Sequence, residues 1–200
     1  DAGFNPQLFI ALYVAFQMEE ELPVSLFEQV SIADLVDYIK ENHKYYLEEM
    51  LPRLSGLIEN LIDECEDNME KLILIRDFLE QYRIDLEVHI REEEENVIPY
   101  ILEVEDSSMT GKVSEELKNR ILHQPIRNFL ETHSDVEEKI SELKSIIIKY
   151  LPSVPDQETA YMILPELFRL EKDIRIHARI EDFVLVPRVE ETEKELLKLI

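Results

Sequence analysis

The stretch that decides the fold is 89-HIREEEENVIPYI-101, which has a counterpart in 177-HARIEDFVLVPRV-189. In both stretches a histidine is followed by arginine two positions later, glutamate four positions later and proline ten positions later. Residues i and i+4 lie on one face of an α-helix, so each stretch presents an imidazole and a carboxylate to one point. The repeat predicts two similar helix pairs, related by an approximate two-fold axis that brings the two His-Glu pairs together.

Apolar residues recur with helical period along nearly the whole chain and predict four long helices. The first follows an N-cap at Ser31 and continues to about residue 65, with a bend at Pro52. The other three cover about 68–104, 125–151 and 156–186. The stretch 105–122 between the second and third helices is the most loop-like, with room for a short helix in 113–122. The inner stripes of the four helices are predicted to include Ile39, His43, Tyr46, Phe78, Tyr82, Leu86, Ile126, Phe129, Ile140, Leu170 and Ile174.

Four long helices with modest connections predict an all-α fold, an antiparallel up-down-up-down four-helix bundle with extra N- and C-terminal helical segments. We divide the chain into an N-terminal appendage (1–30), the bundle (31–189) and a C-terminal helical tail (190–200). Residues 1–16 could be the tail of a preceding domain, and the C-terminal end within a helical pattern suggests a fragment of a longer protein. Pro187 is expected to bend or end the fourth helix.

Charge and cysteine content limit the function. With 21 Lys and Arg against 45 Asp and Glu, the net charge is −24, which disfavours direct contact with nucleic acid or anionic lipid. The single Cys65 excludes an internal disulfide and a cysteine-based metal site, and a reducing, cytoplasmic location is expected. The longest apolar run, residues 8–16, is too short to span a bilayer.

Four of the five histidines fall one per predicted helix: His43, His89, His133 and His177, with spacings of 46, 44 and 44 residues. With Glu93 and Glu181 they form a candidate metal-binding set of four imidazoles and two carboxylates. Any one of these pairs could be an ordinary core histidine near a glutamate in an acidic sequence. The joint register is harder to obtain by accident, and burying the whole set without a cation would be costly.

This ligand set favours iron. Mixed imidazole and carboxylate donors suit iron, manganese or zinc, and the absence of thiolates removes the usual structural zinc motifs. Six ligands are enough for two iron ions bridged by both glutamates, with room for an oxo or hydroxo bridge and a small exogenous ligand. Manganese and zinc rank behind iron.

The sequence resembles the hemerythrin-like (HHE cation-binding) domain over about residues 31–189. Within that family it is similar to the di-iron iron–sulfur cluster repair proteins, the RIC family. The resemblance rests on His43 in ENHKYYLEEMLPRL, on His89 with Glu93, on His133 in ETHSDVEEKI, and on His177 with Glu181. It implies that these six residues hold a non-heme di-iron centre in which the glutamates bridge.

The resemblance also implies a role in the nitrosative and oxidative stress response, through repair of iron–sulfur proteins by iron donation or nitric oxide-related redox chemistry. The implied partners are oxygen or nitric oxide and damaged iron–sulfur proteins. The alternatives are a sensory module that responds to oxygen, nitric oxide or redox state within a longer protein, an oxygen-binding or iron-storage protein, and a structural zinc site. The sequence leaves open whether the domain is an enzyme and whether it dimerises.

Two features depart from the family pattern. The 200 residues do not include the cysteine-containing N-terminal domain of many family members, and oxygen-carrying hemerythrins have a further histidine where this chain has Glu137. Glu137 and Asp182 are additional carboxylates whose contact with metal the sequence leaves open. His123 lies out of register and is predicted to be a surface residue. Tyr46, one turn after His43, is interpreted as core packing with a second role near the metal as the alternative.

Overall fold

The computed structural model describes residues 5–18, 21–64, 69–150 and 157–198. These residues form helices and turns without a strand, which confirms the predicted all-α helical bundle. In chain order the helices are α1 (Pro6–Gln17), α2 (Val24–Phe27), α3 (Ile32–Lys44), π1 (Tyr45–Met50), α4 (Leu51–Glu64), α5 (Met69–Glu92), π2 (Glu93–Val97), α6 (Ile98–Thr110), α7 (Glu115–His123), a 3-10 segment (Ile126–Thr132), α8 (His133–Tyr150), α9 (Gln157–Ile180), π3 (Glu181–Leu185) and α10 (Val186–Lys198). The labels π1, π2 and π3 denote π-helical segments.

The described residues divide into two compact units. The first comprises Asp1–Lys40, Arg91–Glu131 and Ile176–Ile200. Its apolar core draws on every long helix of the unit, and α10 packs against α6. The fully buried members of this core include Phe27, Leu35, Tyr100, Ile126 and Val189.

Helix ends in the first unit are capped by the residues that favour those positions. Ser31 Oγ accepts the Asp34 N–H at 3.0 Å, which confirms the predicted N-cap of α3. The Asp34 carboxylate also accepts the Asn5 amide at 2.7 Å, and Asn5 in turn caps α1. Helix α6 ends at Gly111, whose φ of 68° lies in the left-handed region that glycine adopts without strain.

The second unit comprises Glu41–Ile90 and Thr132–Arg175. Its core is built from aliphatic residues of α4, α5, α8 and α9, together with Tyr82 of α5 and Tyr46 and Met50 of π1. Glu171 is buried in this unit, and its two carboxylate oxygens accept hydrogen bonds from the Lys144 ammonium at 2.6 and 2.7 Å. The Arg175 guanidinium donates a further hydrogen bond to this carboxylate at 3.3 Å. The Lys144–Glu171 ion pair links α8 to α9.

Several sequence-based predictions need correction. The expected loop over 105–122 is wrong in its first part, because α6 continues to Thr110 before Gly111 ends it; the short helix expected after it is confirmed as α7. The third predicted helix starts with a 3-10 segment, and α8 begins only at His133. Phe78 is 43% exposed and not on the inner stripe, since the buried face of α5 follows Leu72, Ile75, Leu79, Tyr82, Leu86 and Ile90.

The prolines inside the long helices do not end them. Pro187 is followed by helix through Lys198, so the expectation that the fourth helix could end there is wrong. Residues 190–198 of the predicted tail are part of α10, which buries Glu193 and Leu196. None of the helices in the described ranges is long and apolar enough to cross a bilayer.

Candidate metal centre

Three π-helical segments interrupt the long helices of the described chain, and each is followed directly by an α-helix whose second residue is proline. The Leu51 N–H donates to the Tyr46 carbonyl, five residues back rather than four. In the same way, the N–H groups of the residues preceding Pro99 and Pro187 donate to the carbonyls of Glu93 and Glu181.

The prolines explain why the helix widens at these points. Proline lacks an N–H, and its ring collides with the carbonyl four residues earlier in a regular α-helix. A π-turn inserts one extra residue, which moves that carbonyl away and lets the helix continue. Single π-turns of this kind are frequently found at functional sites, and two of the three here begin at the predicted bridging glutamates, Glu93 and Glu181.

The side chains of Glu93, His177 and Glu181 are buried, each with 6% of the residue exposed. Helical side chains lean toward the N-terminus, so Glu181 reaches back over the turn that carries His177. The His177 Nε2 lies 3.4 Å from the Glu181 Oε1. The structure thus places the two side chains of the second His-Glu pair next to each other.

His43, at the end of α3, joins this group. One ligand atom from each of His43, Glu93, His177 and Glu181 lies within 4.8 Å of the others, and His43 is only 1% exposed. Among the described residues, the structure thus brings together four of the six predicted metal ligands, two imidazoles and two carboxylates.

This donor set fits a metal ion. Buried carboxylates and imidazoles are costly in an apolar interior unless a cation or hydrogen-bond donors compensate them. The four ligand atoms lie within 4.8 Å of one another, which is close to twice the nitrogen– and oxygen–metal distance of about 2.1 Å. Small shifts of these side chains would therefore let them coordinate the same metal ion. Nitrogen and oxygen donors without sulfur suit iron, manganese or zinc.

The remaining candidate residues lie in different surroundings. His89 is half-buried on α5, one turn before Glu93, and is not part of the four-residue cluster. The side chains of His133 and Glu137 lie outside the described part of the structure, so their roles stay predictions. Asp182 is half-buried in π3, next to Glu181. His123 is exposed, with its Nδ1 2.8 Å from the Asn119 carbonyl oxygen, which confirms the prediction that it is a surface residue.

Sequence reasoning missed the register that Tyr46 shares with the two glutamates. Its carbonyl accepts the five-residue bond in π1, as Glu93 and Glu181 do in π2 and π3, and its side chain is 2% exposed. The signal was present in the sequence. Tyr46, Glu93 and Glu181 each stand six residues before a proline inside a predicted helix.

A second buried carboxylate site also escaped the sequence analysis. Glu193 on α10 accepts the Tyr100 hydroxyl at 2.5 Å and the Ile126 N–H at 2.8 Å, and it is 3% exposed. Burial raises the pKa of Glu193, while the two donors oppose that shift. The spacing of Val189, Glu193 and Leu196 along one face was the available signal.

Comparisons with known proteins agree with this geometry. Residues 34–189 match the hemerythrin HHE cation-binding domain. The chain is also similar to the iron-sulfur cluster repair protein ScdA of Staphylococcus haemolyticus (strain JCSC1435), with 20% identity over 151 residues. That alignment covers 76% of this chain and 64% of the relative, so the chain spans less than two thirds of that protein's length. Because the family match extends over more than three quarters of the sequence and contains the buried cluster, the chain belongs to the hemerythrin HHE cation-binding domain family.

Proposed function

We propose that this chain holds a non-heme di-iron centre through His43, His89, Glu93, His133, His177 and Glu181, with the two glutamates bridging. The observation that carries the proposal is the buried cluster of two imidazoles and two carboxylates at the π-turns. When bound, the iron ions would supply redox chemistry and an open position for a small ligand such as oxygen or nitric oxide.

The protein's contribution is to hold and shield these ligands. Glu93 and Glu181 start π-turns whose backbone bonds fix the direction of each carboxylate, and His177 is kept one turn from Glu181. The burial of the four clustered ligands keeps bulk water away, which strengthens charge interactions at the site. Ile90, Ile180 and Val184, which are close to these ligands in the sequence, are buried as well.

We further propose a role in iron–sulfur cluster repair during nitrosative or oxidative stress, in the cytoplasm. The support is the similarity to a protein named for iron–sulfur cluster repair, together with an iron-type donor set. Damaged iron–sulfur proteins would then be the partners. The net charge of −24 favours a partner with a basic surface over nucleic acid.

Metal content tests the di-iron proposal directly. Protein expressed without added metal should contain about two iron ions per chain by elemental analysis and show near-ultraviolet oxo-to-iron absorption. His89→Ala and Glu181→Ala should each lose iron, while His123→Ala, which removes an exposed histidine, should keep it. One zinc ion per chain, or equal iron loss in all three variants, would contradict the assignment.

Repair needs a separate assay. A nitric oxide-damaged iron–sulfur enzyme should regain activity with the iron-loaded wild-type chain and not with Glu181→Ala. If iron binds as proposed but no activity returns, the di-iron assignment stands and the repair role fails. Reversible ligand binding without reactivation would instead favour sensing or storage.

A further inference from the structure

A group of polar contacts around Tyr100 joins four segments of the first unit. The Tyr100 hydroxyl donates to the Glu193 Oε1 at 2.5 Å, and the Ile126 N–H donates to the same oxygen at 2.8 Å. The guanidinium carbon of Arg120 lies 4.4 Å from the centroid of the Tyr100 ring. These contacts connect α6 with α10, with the start of the 3-10 segment and with α7. We call Arg120, Tyr100 and Glu193 the Tyr100 network.

Arg120 extends this network to the π-turn that begins at Glu93. Its Nη2 donates to the Asn96 carbonyl oxygen at 2.9 Å. Asn96 lies within π2, where the Ile98 N–H bonds five residues back to the Glu93 carbonyl. Because Pro99 has no N–H, the carbonyls of this turn have one donor fewer within the helix. The guanidinium on α7 supplies a donor from outside and thereby supports the widened turn.

Packing alone does not require a carboxylate between α6 and α10. Both helices already contribute aliphatic residues to the core of the first unit, among them Ile101, Val104 and Val189. Apolar contacts are not directional, and replacing a buried polar pair by apolar groups of the same shape is often neutral or stabilising. Hydrogen bonds have a preferred distance and direction. The bonds to Glu193 therefore fix the register of α6 against α10 more narrowly than the apolar contacts do.

This register sets the relative placement of the two predicted bridging glutamates. Helix α6 continues π2, which begins at Glu93, and α10 continues π3, which begins at Glu181. Tyr100 stands seven residues after Glu93, about 10 Å along the helix. Ligand–metal distances have to hold within about 0.2 Å, whereas packed helices shift by about 1–2 Å when their contacts change. A shift of that size would move the two carboxylates further than shared coordination tolerates.

We propose that Arg120, Tyr100 and Glu193 are positioning residues for the bridging carboxylates of Glu93 and Glu181. Arg120 holds π2 in its widened form, and the Tyr100–Glu193 bond fixes α6 against α10. None of the three belongs to the four-residue cluster, so they act through the backbone of π2 and the register of the two helices. The inference rests on the di-iron centre proposed above.

Iron affinity, measured by competition with a chelator, tests the role of Arg120. Arg120→Ala should weaken iron binding by about 10-fold, the lower end of the losses that follow removal of groups supporting metal ligands. Arg120 is only half-buried, so this variant is expected to fold. The control is Arg127→Ala, which removes an exposed arginine of the same unit that pairs with Glu190 on α10 at 3.1 Å. It should keep the wild-type affinity, and equal affinities in all three proteins would overturn the proposal.

Variants of Glu193 separate positioning from stability. Both hydrogen bonds end on Oε1, so Glu193→Gln can accept them through its amide oxygen and should retain the iron affinity and the optical spectrum. Glu193→Ala should weaken iron binding by at least about 10-fold and shift the oxo-to-iron bands. Glu171→Ala, which breaks a buried ion pair in the second unit, should destabilise the fold without shifting those bands. Equal effects of the two alanine variants on iron binding would mean that lost stability explains both, and the proposal would fail.

Hydrogen exchange in the metal-free protein distinguishes this inference from the di-iron proposal. The Ile98 amide forms the five-residue bond of π2 and should exchange about 10-fold faster in Arg120→Ala, because the turn loses one hydrogen bond. Arg127→Ala should leave its rate unchanged. A wild type without iron would refute the di-iron proposal, and the Ile98 rate would still decide whether Arg120 supports π2. An unchanged Ile98 rate in Arg120→Ala would overturn the positioning role whichever metal the wild type binds.

Discussion

Replacing Glu193 with alanine should destabilise the protein strongly, because this buried carboxylate is the acceptor for two buried donors. The carboxylate lies between Tyr100 on α6 and Ile126 at the start of the 3-10 segment, and both of these residues are fully buried. It accepts the Tyr100 hydroxyl at 2.5 Å and the Ile126 N–H at 2.8 Å. Alanine would leave both donors buried without the acceptor that they have in the wild type.

The expected loss follows from those two bonds. A buried donor left without its acceptor costs about 1–3 kcal/mol, so Glu193→Ala should reduce the free energy of unfolding by about 3–5 kcal/mol. Tyr100→Phe removes only one donor and leaves the carboxylate with the Ile126 N–H, so a loss of about 1–2 kcal/mol is expected. The double variant should lose less than the sum of the two single losses, because both remove the same bond.

The dependence on pH gives a sharper test with Glu193→Gln. Burial holds the pKa of Glu193 above that of an unfolded glutamate, so the stability it contributes is fully present below about 4.5 and is lost as the pH rises through the folded value. Glutamine keeps the amide oxygen as an acceptor and does not titrate. The stability of wild type relative to Glu193→Gln should therefore fall as the pH rises above about 4.5.

Urea unfolding followed by far-ultraviolet circular dichroism measures these differences. The variants can be compared when the unfolding free energy depends on urea concentration with the same slope in each. A Glu193→Ala loss below about 1 kcal/mol would show that water or a rearranged side chain satisfies both donors, which refutes the reasoning. A wild-type advantage over Glu193→Gln that grows with pH would mean that the donors, rather than burial, dominate the carboxyl pKa.

The remaining predictions concern one ion pair, one turn and one proline. Glu171→Ala should lower the free energy of unfolding in urea by about 2–4 kcal/mol, because it leaves the half-buried Lys144 ammonium without its carboxylate. Glu41→Ala, which removes an exposed ion pair with Lys44, should lower it by less than about 0.5 kcal/mol. Similar losses in the two variants would contradict a role for burial. Gly111→Ala should cost about 1 kcal/mol through its φ of 68° alone, since a Cβ there meets nothing within 4 Å, and a loss above about 2 kcal/mol would reveal a missed contact. Pro99→Ala should allow the π-turn to revert to α-helix, lowering iron content while helicity by circular dichroism stays constant; unchanged iron content would separate the π-turn from ligand placement.

Much of the fold was predictable because it depends on periodic burial. Ser31 was identified as an N-cap from local chemistry, and the structure confirms its bond to Asp34. The end of α6 was misplaced because residues 105–110 carry serines and charges that suit a loop as well as a helix surface. Contacts made by Val104 and Ser107 with the core, which are visible only after folding, decide for the helix.

The candidate site was predictable for a different reason, namely internal repetition. His177 and Glu181 were recognisable because the same spacing occurs at His89 and Glu93. The π-turns were not predicted, although the prolines were noticed as causes of a bend or an end. Proline shows that a regular helix cannot continue unchanged. Whether the chain bends, stops or widens depends on how strongly the flanking turns are packed, and here buried residues on both sides hold the helix together.

The acidic composition illustrates the limit of sequence reasoning best. Among the 45 Asp and Glu residues, the structure buries the following described glutamates: Glu93, Glu171, Glu181 and Glu193. Burial by itself does not mark a metal ligand, because Glu171 is compensated by a lysine and an arginine, and Glu193 by a hydroxyl and a backbone N–H. The sequence could nevertheless separate the two kinds: a histidine stands four residues before Glu93 and Glu181, whereas Leu167 and Val189 stand before the other two. A buried carboxylate paired with imidazole at helical spacing indicates a cation, and one on a purely aliphatic stripe indicates a protein donor on a neighbouring element.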